Sequence, residues 1–391
     1  MSDIVIAGAK RTAIGSFLGQ FTGVPTPKLG SIAIKAALDQ AGIAPADVSE
    51  VIMGCVLPAN LGQAPARQAS LEAGLPTSTG CTTINKVCGS GMKAMMLAHD
   101  LIKAGSAGIV VAGGMESMTN APHMVNARTG IRYGDGQLVD HMAWDGLTNP
   151  YDGKAMGVFG EQCADKYHFS REEQDAYAIA SVERAKAAQK NGAFANEIVP
   201  VTVEGRKGPQ EFVEDEQPGR SDTAKIPTLR AAFRKENGTI TAASSSSISD
   251  GAAALVLLSA DDAKARGVKP LARVVAHATH SQEPEWFTTA PVGAISKVLE
   301  KAGWSADEVD LYEVNEAFAV VPMAVMRELG VPHDKLNVHG GACALGHPIG
   351  ASGARIVVTL LNALTARGAK KGVAALCIGG GEATAVAIEL V

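Results

Sequence analysis

Cys88 is the residue of this sequence whose surroundings best suit nucleophilic chemistry. It stands in Asn85-Lys-Val-Cys-Gly-Ser-Gly, directly before an apolar stretch without Pro or Gly that predicts a largely buried helix. A cysteine at a helix N-terminus faces unpaired N–H groups and the positive end of the helix dipole. Both favour the thiolate, which is the nucleophilic form of the side chain. The alternative interpretation is a packing cysteine, because unpaired cysteines are among the most buried residues.

Two more reactive side chains lie in glycine-rich turns. His347 stands in Gly340-Gly-Ala-Cys-Ala-Leu-Gly-His-Pro-Ile-Gly-Ala-Ser-Gly, at the entrance of another predicted helix, and is a candidate base for Cys88 in covalent acyl transfer. Cys377 ends the predicted strand 372–377, where catalytic groups gather in parallel sheets. Its thiolate is a candidate base toward a weakly acidic C–H group. Structural roles for this histidine and this cysteine are the alternatives.

A third polar stretch, Asn315-Glu-Ala-Phe, follows the predicted strand 309–314. Asn315 is a candidate to hold a water that donates to a developing oxyanion. For Glu316 we weigh two roles equally: it orients His347, or it caps the next helix. The glycine turns lack the G-x-G-x-x-G spacing with a downstream acidic residue, so a dinucleotide site has little support.

The C-terminal part of the chain repeats landmarks of the N-terminal part in the same order. The interval from Gly42 to Ser90 is 48 residues, and that from Gly303 to Ser352 is 49. This agreement predicts two related α/β halves that face each other about a pseudo-twofold axis, which would bring Cys88 close to the His347 stretch. The matched stretches are Ala41-Gly-Ile with Ala302-Gly-Trp, Gly89-Ser-Gly with Ala351-Ser-Gly, and Val111-Ala-Gly-Gly-Met-Glu with Cys377-Ile-Gly-Gly-Gly-Glu.

Strands alternate with helical patterns near both ends of the chain, which indicates parallel βαβ units. We predict an N-terminal α/β half at 1–117, completed by about 249–268, and a C-terminal half at 269–391. Residues 118–248 are richer in Met, Asp, Tyr, Pro and charge, and predict an inserted loop domain over the site. Within it, Ser170–Asn191 predicts one amphipathic helix opened by a capping box.

The bulk composition restricts the class of protein. With 391 residues, 46% hydrophobic, 4% aromatic and 43 Gly, the chain suits a close-packed α/β protein. A net charge of −5 argues against nucleic-acid and acidic-membrane partners. The six cysteines form no Cys-x-x-Cys pair, so neither a zinc centre nor a disulfide framework is predicted. Reduced thiols, with no signal peptide and no membrane span in the pattern, favour the cytoplasm.

Taken together, the motifs resemble the thiolase family, coenzyme A-dependent acyltransferases that make or break a 3-oxoacyl-CoA. The resemblance covers essentially the whole chain. The matching motifs are Arg11-Thr-Ala-Ile-Gly-Ser-Phe, Asn85-Lys-Val-Cys-Gly-Ser-Gly, Gly113-Gly-Met-Glu-Ser-Met, Asn315-Glu-Ala-Phe, Gly346-His-Pro-Ile-Gly-Ala-Ser-Gly-Ala-Arg and Cys377-Ile-Gly-Gly-Gly.

The resemblance implies the duplicated five-layer αβαβα thiolase fold and a role for each matched residue. Cys88 would carry the acyl group as a thioester, His347 would activate it, and Cys377 would move the α-carbon proton of acetyl-CoA. His347 and a water on Asn315 would form one oxyanion hole. The backbone N–H groups of Cys88 and Gly379 would form the other.

The resemblance also implies how substrate is held. Coenzyme A and acetyl-CoA would be substrates, with no permanently bound cofactor and no metal. Coenzyme A would lie against the inserted region near Arg220, with Ser246 at a position that contacts pantetheine in the family. Met156, Phe287 and Phe318 would crowd the acyl pocket. A homodimer or homotetramer is the assembly that the resemblance implies.

The sequence departs from the family pattern around this pocket, at Ala155-Met-Gly, Ser244-Ser-Ser and Phe287. The leading hypothesis is a short-chain enzyme that condenses two acetyl-CoA molecules to acetoacetyl-CoA, and the alternative is a degradative thiolase acting on longer chains. Three further hypotheses are a decarboxylating ketoacyl synthase, which needs no second cysteine, a non-catalytic acyl-CoA-binding protein and, with least support, a nicotinamide-dependent oxidoreductase.

Overall fold

A long mixed sheet, in which two equivalent sets of strands meet edge to edge, organises the fold. The computed structural model describes residues 2–205 and 208–391. The strands in chain order are β1 (Ile4–Thr12), β2 (Gly15–Ser16), β3 (Glu50–Gly54), β4 (Gly80–Ile84), β5 (Val110–Ser117), β6 (His123–Met124), β7 (Val139–Asp140), β8 (Ile198–Val199), β9 (Val201–Gly205), β10 (Gly208–Phe212), β11 (Ser249–Ser259), β12 (Ala272–Ser281), β13 (Leu311–Val314), β14 (Lys371–Ile378) and β15 (Glu382–Leu390).

Helices cover both faces of this sheet and fill the space between its two parts. The α-helices are α1 (Thr26–Ala41), α2 (Pro65–Glu72), α3 (Ser90–Lys103), α4 (Met156–Tyr167), α5 (Arg171–Lys190), α6 (Glu216–Arg220), α7 (Ala260–Arg266), α8 (Ala290–Ala302), α9 (Val320–Leu329), α10 (Ala342–Leu345) and α11 (Ser352–Arg367). Among the helices described, none is both long enough and apolar enough to cross a membrane.

The strand order confirms the predicted duplication. The sheet runs β13-β14-β15-β12-β1-β11-β5-β3-β4, so that β12, β15, β14 and β13 mirror β1, β11, β5 and β3. The two sets join where β1 and β12 pair antiparallel, through Val5 with Arg273 and Ile6 with Ala272. Leu336 makes a parallel bridge to Tyr312 at the place that corresponds to β4 beside β3. A pseudo-twofold axis therefore passes between β1 and β12.

Five layers, αβαβα, follow from the way each strand divides its side chains between two faces. In β1, Ile6 points into the apolar cluster between the two half-sheets, where α3 and α11 pack against each other. Val5 points the other way, into the cluster beneath α1. On the second half, α8 and α9 cover the opposite outer face. The sequence prediction of this fold class is confirmed.

The matched helices end as the repeat predicts. Gly42 after α1 and Gly303 after α8 both adopt a left-handed backbone, with φ of 65° and 68°. Each glycine N–H bonds back to carbonyls of the last helical turn, a geometry that a residue without Cβ adopts at little cost.

The region 118–248 is tied to the first half by a buried ion cluster. Arg11 of β1, in the first family motif, donates to Glu197 at 2.6 Å and to Asp215 at 2.7 Å, and all three side chains are buried. The capping box of Ser170 and Glu173 is confirmed at the start of α5. Beyond the region, β11 lies between β1 and β5. The predicted boundaries at 118 and 248 stay predictions.

Candidate active site

Cys88 lies on a strained turn between β4 and α3. Its neighbour Val87 has φ +46°, a conformation that β-branched residues rarely adopt. Asn85 Oδ1 accepts the Val87 N–H at 2.8 Å, while Ser90 Oγ accepts the Lys86 N–H at 2.8 Å and donates to the Val87 carbonyl at 2.7 Å. Because α3 begins at Ser90, the expected position of the cysteine at a helix N-terminus is confirmed.

The turn of Cys88 is held against the loop of His347 because α3 and α11 begin side by side. A Cβ added at Gly91 would lie 2.8 Å from the backbone nitrogen of Ala354, and one added at Gly353 would meet the backbone of Met92. These two glycines are equivalent in the sequence repeat. The pseudo-twofold arrangement thus joins the two loops through backbone contact, and a side chain at either glycine would separate them.

His347 is buried, and its hydrogen bonds define one neutral tautomer. Its Nδ1 lies 2.6 Å from Ser352 Oγ, which itself donates to the Pro348 carbonyl at 3.0 Å. Ser352 therefore accepts from Nδ1–H, and Nε2 carries the free lone pair. Nε2 is buried without a hydrogen-bond partner among the described residues. Burial and the positive charge of Arg355 lower the pKa of His347 to about 3, so the imidazole is a neutral proton acceptor at working pH.

The two reactive sulfurs face the same small space. Burial raises the pKa of Cys88 to about 11, although the N–H groups of Gly379 and of Cys88 itself bond to its sulfur and oppose that rise. Cys377 ends β14 two residues before Gly379 and is fully buried. Burial, followed by the charge of an ionised Cys88, raises the pKa of Cys377 well above its ordinary value. Two thiols and two N–H groups, from the turn before α3 and from the end of β14, therefore face one space.

The raised pKa of Cys88 predicts a steep pH dependence of its reactivity. Since only the thiolate is alkylated, the rate of Cys88 modification by iodoacetamide should rise about tenfold per pH unit between pH 7 and 9. Peptide mass spectrometry over a time course would measure this rate, with partly exposed Cys81 as the internal comparison. A rate that levels off below pH 8 would contradict the assignment.

The side-chain amide of Asn315 lies near the end of the strand that carries Cys377. Its backbone N–H bonds to the Ala375 carbonyl of β14 at 3.0 Å, which places it beside the strand of Cys377. The side chain is 1% exposed, and within residues 2–205 and 208–391 neither its amide oxygen nor its nitrogen has a hydrogen-bond partner. Buried polar groups rarely stay unpaired, so this amide is suited to a bound molecule.

Both roles predicted for Glu316 are wrong. Its carboxylate accepts from Tyr177 Oη at 3.0 Å and Ser181 Oγ at 2.7 Å, both on α5, and from the Cys343 N–H at 3.0 Å in α10. His347 uses Ser352 instead, and α9 has no side-chain cap. Glu316 therefore fastens the inserted region to the loop that leads to His347.

Two glutamates for which the sequence predicts no role hold the reactive loops across the pseudo-twofold axis. Glu116 Oε2 accepts the N–H of Gly350, three residues after His347, at 2.9 Å, and also that of Val56 at 2.9 Å. Glu382 Oε2 lies 2.5 Å from Nζ of Lys86, two residues before Cys88. The repeat matches these two glutamates with each other, so each half of the chain positions the reactive loop of the other half.

The residues expected to line an acyl pocket share one apolar cluster with Cys377. Phe287 and Phe318 are buried in that cluster with ring centroids 6.4 Å apart, and Met156 packs against it. The Cε atom of Met156 would lie 3.5 Å from a Cβ built on Gly379, so this side chain extends over the turn beside Cys88. The structure therefore places Phe287 and Phe318 in the cluster of Cys377, and Met156 beside the Gly379 turn.

The two residues expected to touch coenzyme A, Ser246 and Arg220, lie outside the group of side chains just described. Ser246 is partly exposed and donates its N–H to the Ala317 carbonyl at 3.0 Å, next to Phe318. Arg220 is exposed at the end of α6 and pairs with Glu216 at 3.1 Å. Neither contact reaches the sulfurs or the imidazole, and the predicted contacts with coenzyme A stay predictions.

Comparison with known proteins agrees with this geometry. Residues 4–261 match the family model of the thiolase N-terminal domain, and residues 268–390 match that of the thiolase C-terminal domain. The chain is 52% identical to acetyl-CoA acetyltransferase 2 of Arabidopsis thaliana over 99% of this chain and 97% of the relative. It is 52% identical to the acetyl-CoA acetyltransferase of Chromobacterium violaceum over 99% of both chains.

A solved structure extends the agreement to three dimensions. The Acat5 thiolase from Ascaris suum, solved in complex with coenzyme A, superposes with a TM-score of 0.95 at 44% identity and over 100% of both chains. Both halves of the chain are covered by the two family models, and the full length by the relatives and by this structure. The chain belongs to the thiolase family.

Proposed function

We propose that this protein catalyses the reversible condensation of two acetyl-CoA molecules to acetoacetyl-CoA and free coenzyme A. The observation that carries the proposal is that Cys88, just before α3, and Cys377, near the end of β14, face one space. The N–H groups of Cys88 and Gly379 are directed at the sulfur of Cys88. The names of the relatives in Arabidopsis and Chromobacterium support the acetyl substrate. A single reactive cysteine would serve acyl transfer, but a second one suits proton removal from carbon.

In the first half-reaction Cys88 is the nucleophile. His347 Nε2 accepts the thiol proton, the sulfur attacks the carbonyl carbon of acetyl-CoA, and the C–S bond to coenzyme A breaks. Cys377 gives its thiol proton to the departing thiolate of coenzyme A, which leaves acetyl-Cys88, a protonated His347 and Cys377 as the thiolate. The neutral Nε2, free of other hydrogen bonds in the described structure, supports this role.

In the second half-reaction Cys377 acts as thiolate on the α-carbon of another acetyl-CoA. It takes the α-proton, the carbanion equivalent attacks the carbonyl of acetyl-Cys88, and the bond from that carbonyl to Cys88 breaks. The proton held by His347 returns to Cys88, the α-proton stays on Cys377, and acetoacetyl-CoA is released.

Two groups of donors suit the two oxyanions that form. The N–H groups of Cys88 and Gly379 would stabilise the oxyanion of the tetrahedral intermediate on Cys88. A water on the unpartnered amide of Asn315, together with protonated His347, would stabilise the enolate oxygen. Donors fixed in a buried site need no reorganisation when the charge develops, which is why they lower the barrier.

The remaining parts of the proposal concern substrate binding and assembly. Coenzyme A is a substrate here, with no permanently bound cofactor, and its extended chain would pass Ser246 toward Arg220. The thiolase from Ascaris suum is a complex with coenzyme A, which supports this class of ligand. A homodimer or homotetramer in the cytoplasm remains our prediction, and six unpaired cysteines fit a reducing compartment.

Chain-length preference tests the acetyl assignment. We expect cleavage of acetoacetyl-CoA by free coenzyme A to exceed cleavage of longer 3-oxoacyl-CoAs, because three bulky side chains, Met156, Phe287 and Phe318, belong to the apolar cluster of Cys377 and would crowd a longer acyl chain. Phe287→Ala should improve kcat/KM for a six-carbon substrate relative to acetoacetyl-CoA by roughly tenfold. Steady-state thiolysis across the series measures both, with Phe21→Leu, in a cluster beneath α1, as the control. Faster cleavage of long chains by the unaltered protein would favour the degradative alternative.

The hydrogen bonds that Glu116 accepts from the His347 loop should also contribute to the rate of catalysis, and this can be tested. Glu116→Gln keeps the volume but turns an N–H₂ group toward backbone N–H donors of Val56, Leu57 or Gly350, so the His347 loop loses a contact. Since small displacements of a catalytic group are costly, kcat should fall about 10- to 100-fold with little change in KM. Thiolysis kinetics and thermal unfolding would be compared with Glu72→Gln, an exposed partner of Lys28. A normal kcat with a lowered Tm would assign Glu116 to stability alone.

A further inference from the structure

A second cluster of polar side chains lies away from the reactive turn, where α3 of the first half meets β12 of the second half. It consists of His99 and Asp100, adjacent on α3, and His277 on β12. His277 Nε2 lies 2.9 Å from Asp100 Oδ1 and 3.3 Å from His99 Nδ1, and His99 Nδ1 lies 2.9 Å from the same carboxylate oxygen. Two imidazole nitrogens and one carboxylate oxygen thus point at one spot.

We propose that His99, Asp100 and His277 form a binding site for a divalent transition-metal cation of the Zn²⁺ type, which would bridge the two halves of the fold. Imidazole together with carboxylate is a ligand set of such cations rather than of Mg²⁺ or Ca²⁺, which prefer oxygen alone.

The spacing of the three atoms fits that ligand set without rearrangement. A cation about 2.05 Å from all three atoms would lie roughly 1 Å out of their plane, at ordinary Zn–N and Zn–O lengths. Its angles would be about 107° between the nitrogens and about 90° between each nitrogen and the oxygen, close to those of a distorted tetrahedral site. The planes of the two imidazole rings are 83° apart and the rings meet edge to face, with centroids 4.9 Å apart.

The surroundings of the cluster suit a bridging site that is open on one side. The two imidazoles are largely shielded, with 18% and 16% of their side chains exposed, whereas Asp100 is 55% exposed. Water could therefore complete the coordination from the side of the carboxylate. The ammonium of Lys301 is the neighbouring positive group, and it donates to the His277 carbonyl rather than to the ring.

Titration of the chelator-treated full chain with Zn²⁺, followed by calorimetry, tests the proposal. We expect one binding event that Asp100→Asn and His277→Asn each weaken by about 100-fold. Added Zn²⁺ should raise the Tm of the unaltered protein by about 2 °C or more, and should leave that of both variants unchanged. His168→Asn is the control, because His168 is exposed with a left-handed backbone that Asn accepts readily.

The readouts separate this site from other zinc-binding groups and from the proposed reaction. Zinc bound by the thiols would be common to all variants, so only the difference between them reports on the cluster. Asp100→Asn replaces an exposed side chain and should fold normally, which thermal unfolding without metal would verify. Equal zinc affinity of the unaltered protein, Asp100→Asn and His277→Asn would overturn the proposal, and the three side chains would then form a hydrogen-bonded cluster alone. Neither result depends on acyl transfer.

Discussion

Cys88→Ala should abolish thiolysis of acetoacetyl-CoA, with a loss of roughly 10⁴-fold or more in kcat. The reason is that the turn between β4 and α3 directs the sulfur and the N–H of Cys88 at the point that the Gly379 N–H reaches from the turn between β14 and β15. An alanine there leaves the donors and the substrate contacts in place but removes the atom that forms the covalent bond. Residual activity would then report what binding and oxyanion donors contribute alone.

The covalent intermediate supplies the direct measurement for this variant. After mixing with acetyl-CoA and rapid quenching, intact mass spectrometry should find one added acetyl group, and peptide mapping should place it on Cys88. Cys81→Ala is the matched control, since that cysteine is also partly exposed and lies seven residues upstream in β4. An acetyl group on another residue, or unchanged turnover of Cys88→Ala, would refute the assignment of the nucleophile.

The positions of the reactive groups could be inferred from the sequence because each stands in a glycine turn at a predicted element boundary. Cys88 precedes a helix, Cys377 ends a strand, and the stretch around His347 matches that of Cys88 in the repeat. The repeat alone implied the pseudo-twofold axis that the β1–β12 pairing reveals. Local pattern and internal symmetry were therefore sufficient for two facing α/β halves, whereas the five-layer arrangement came from the family resemblance.

Contacts that depend on docking of the two halves could not be inferred. Glu116 and Gly350 are 234 residues apart, and Lys86 and Glu382 are 296 apart, so only the folded chain shows that these pairs meet. The interpretation of Glu316 failed for the same reason, because its partners on α5 arrive from the inserted region.

Ser352 illustrates an intermediate case. The repeat matched it with Ser90, yet the two hydroxyls do different work: Ser90 fastens the Cys88 turn, and Ser352 fixes the tautomer of His347. Equivalence in sequence therefore gave the position of the hydroxyl but not its partner.

Cys377→Ala should separate the two half-reactions. The variant keeps Cys88, His347 and the inward N–H groups, so acetyl-Cys88 should still form from acetyl-CoA. Removal of the α-proton should fail, and condensation and thiolysis should fall by about 10²- to 10⁴-fold, the usual contribution of a general base. Cys163→Ala is a close control, because Cys163 is a buried cysteine in the same apolar cluster as Cys377.

Exchange of the α-hydrogens of acetyl-CoA with deuterated water measures proton removal without carbon–carbon bond formation. The unaltered protein and Cys163→Ala should exchange them, whereas Cys377→Ala should acetylate Cys88 and exchange nothing above the uncatalysed rate. If Cys377→Ala condenses acetyl-CoA normally, the second sulfur is not the base, and the chemistry of a one-cysteine condensing enzyme would fit this site better.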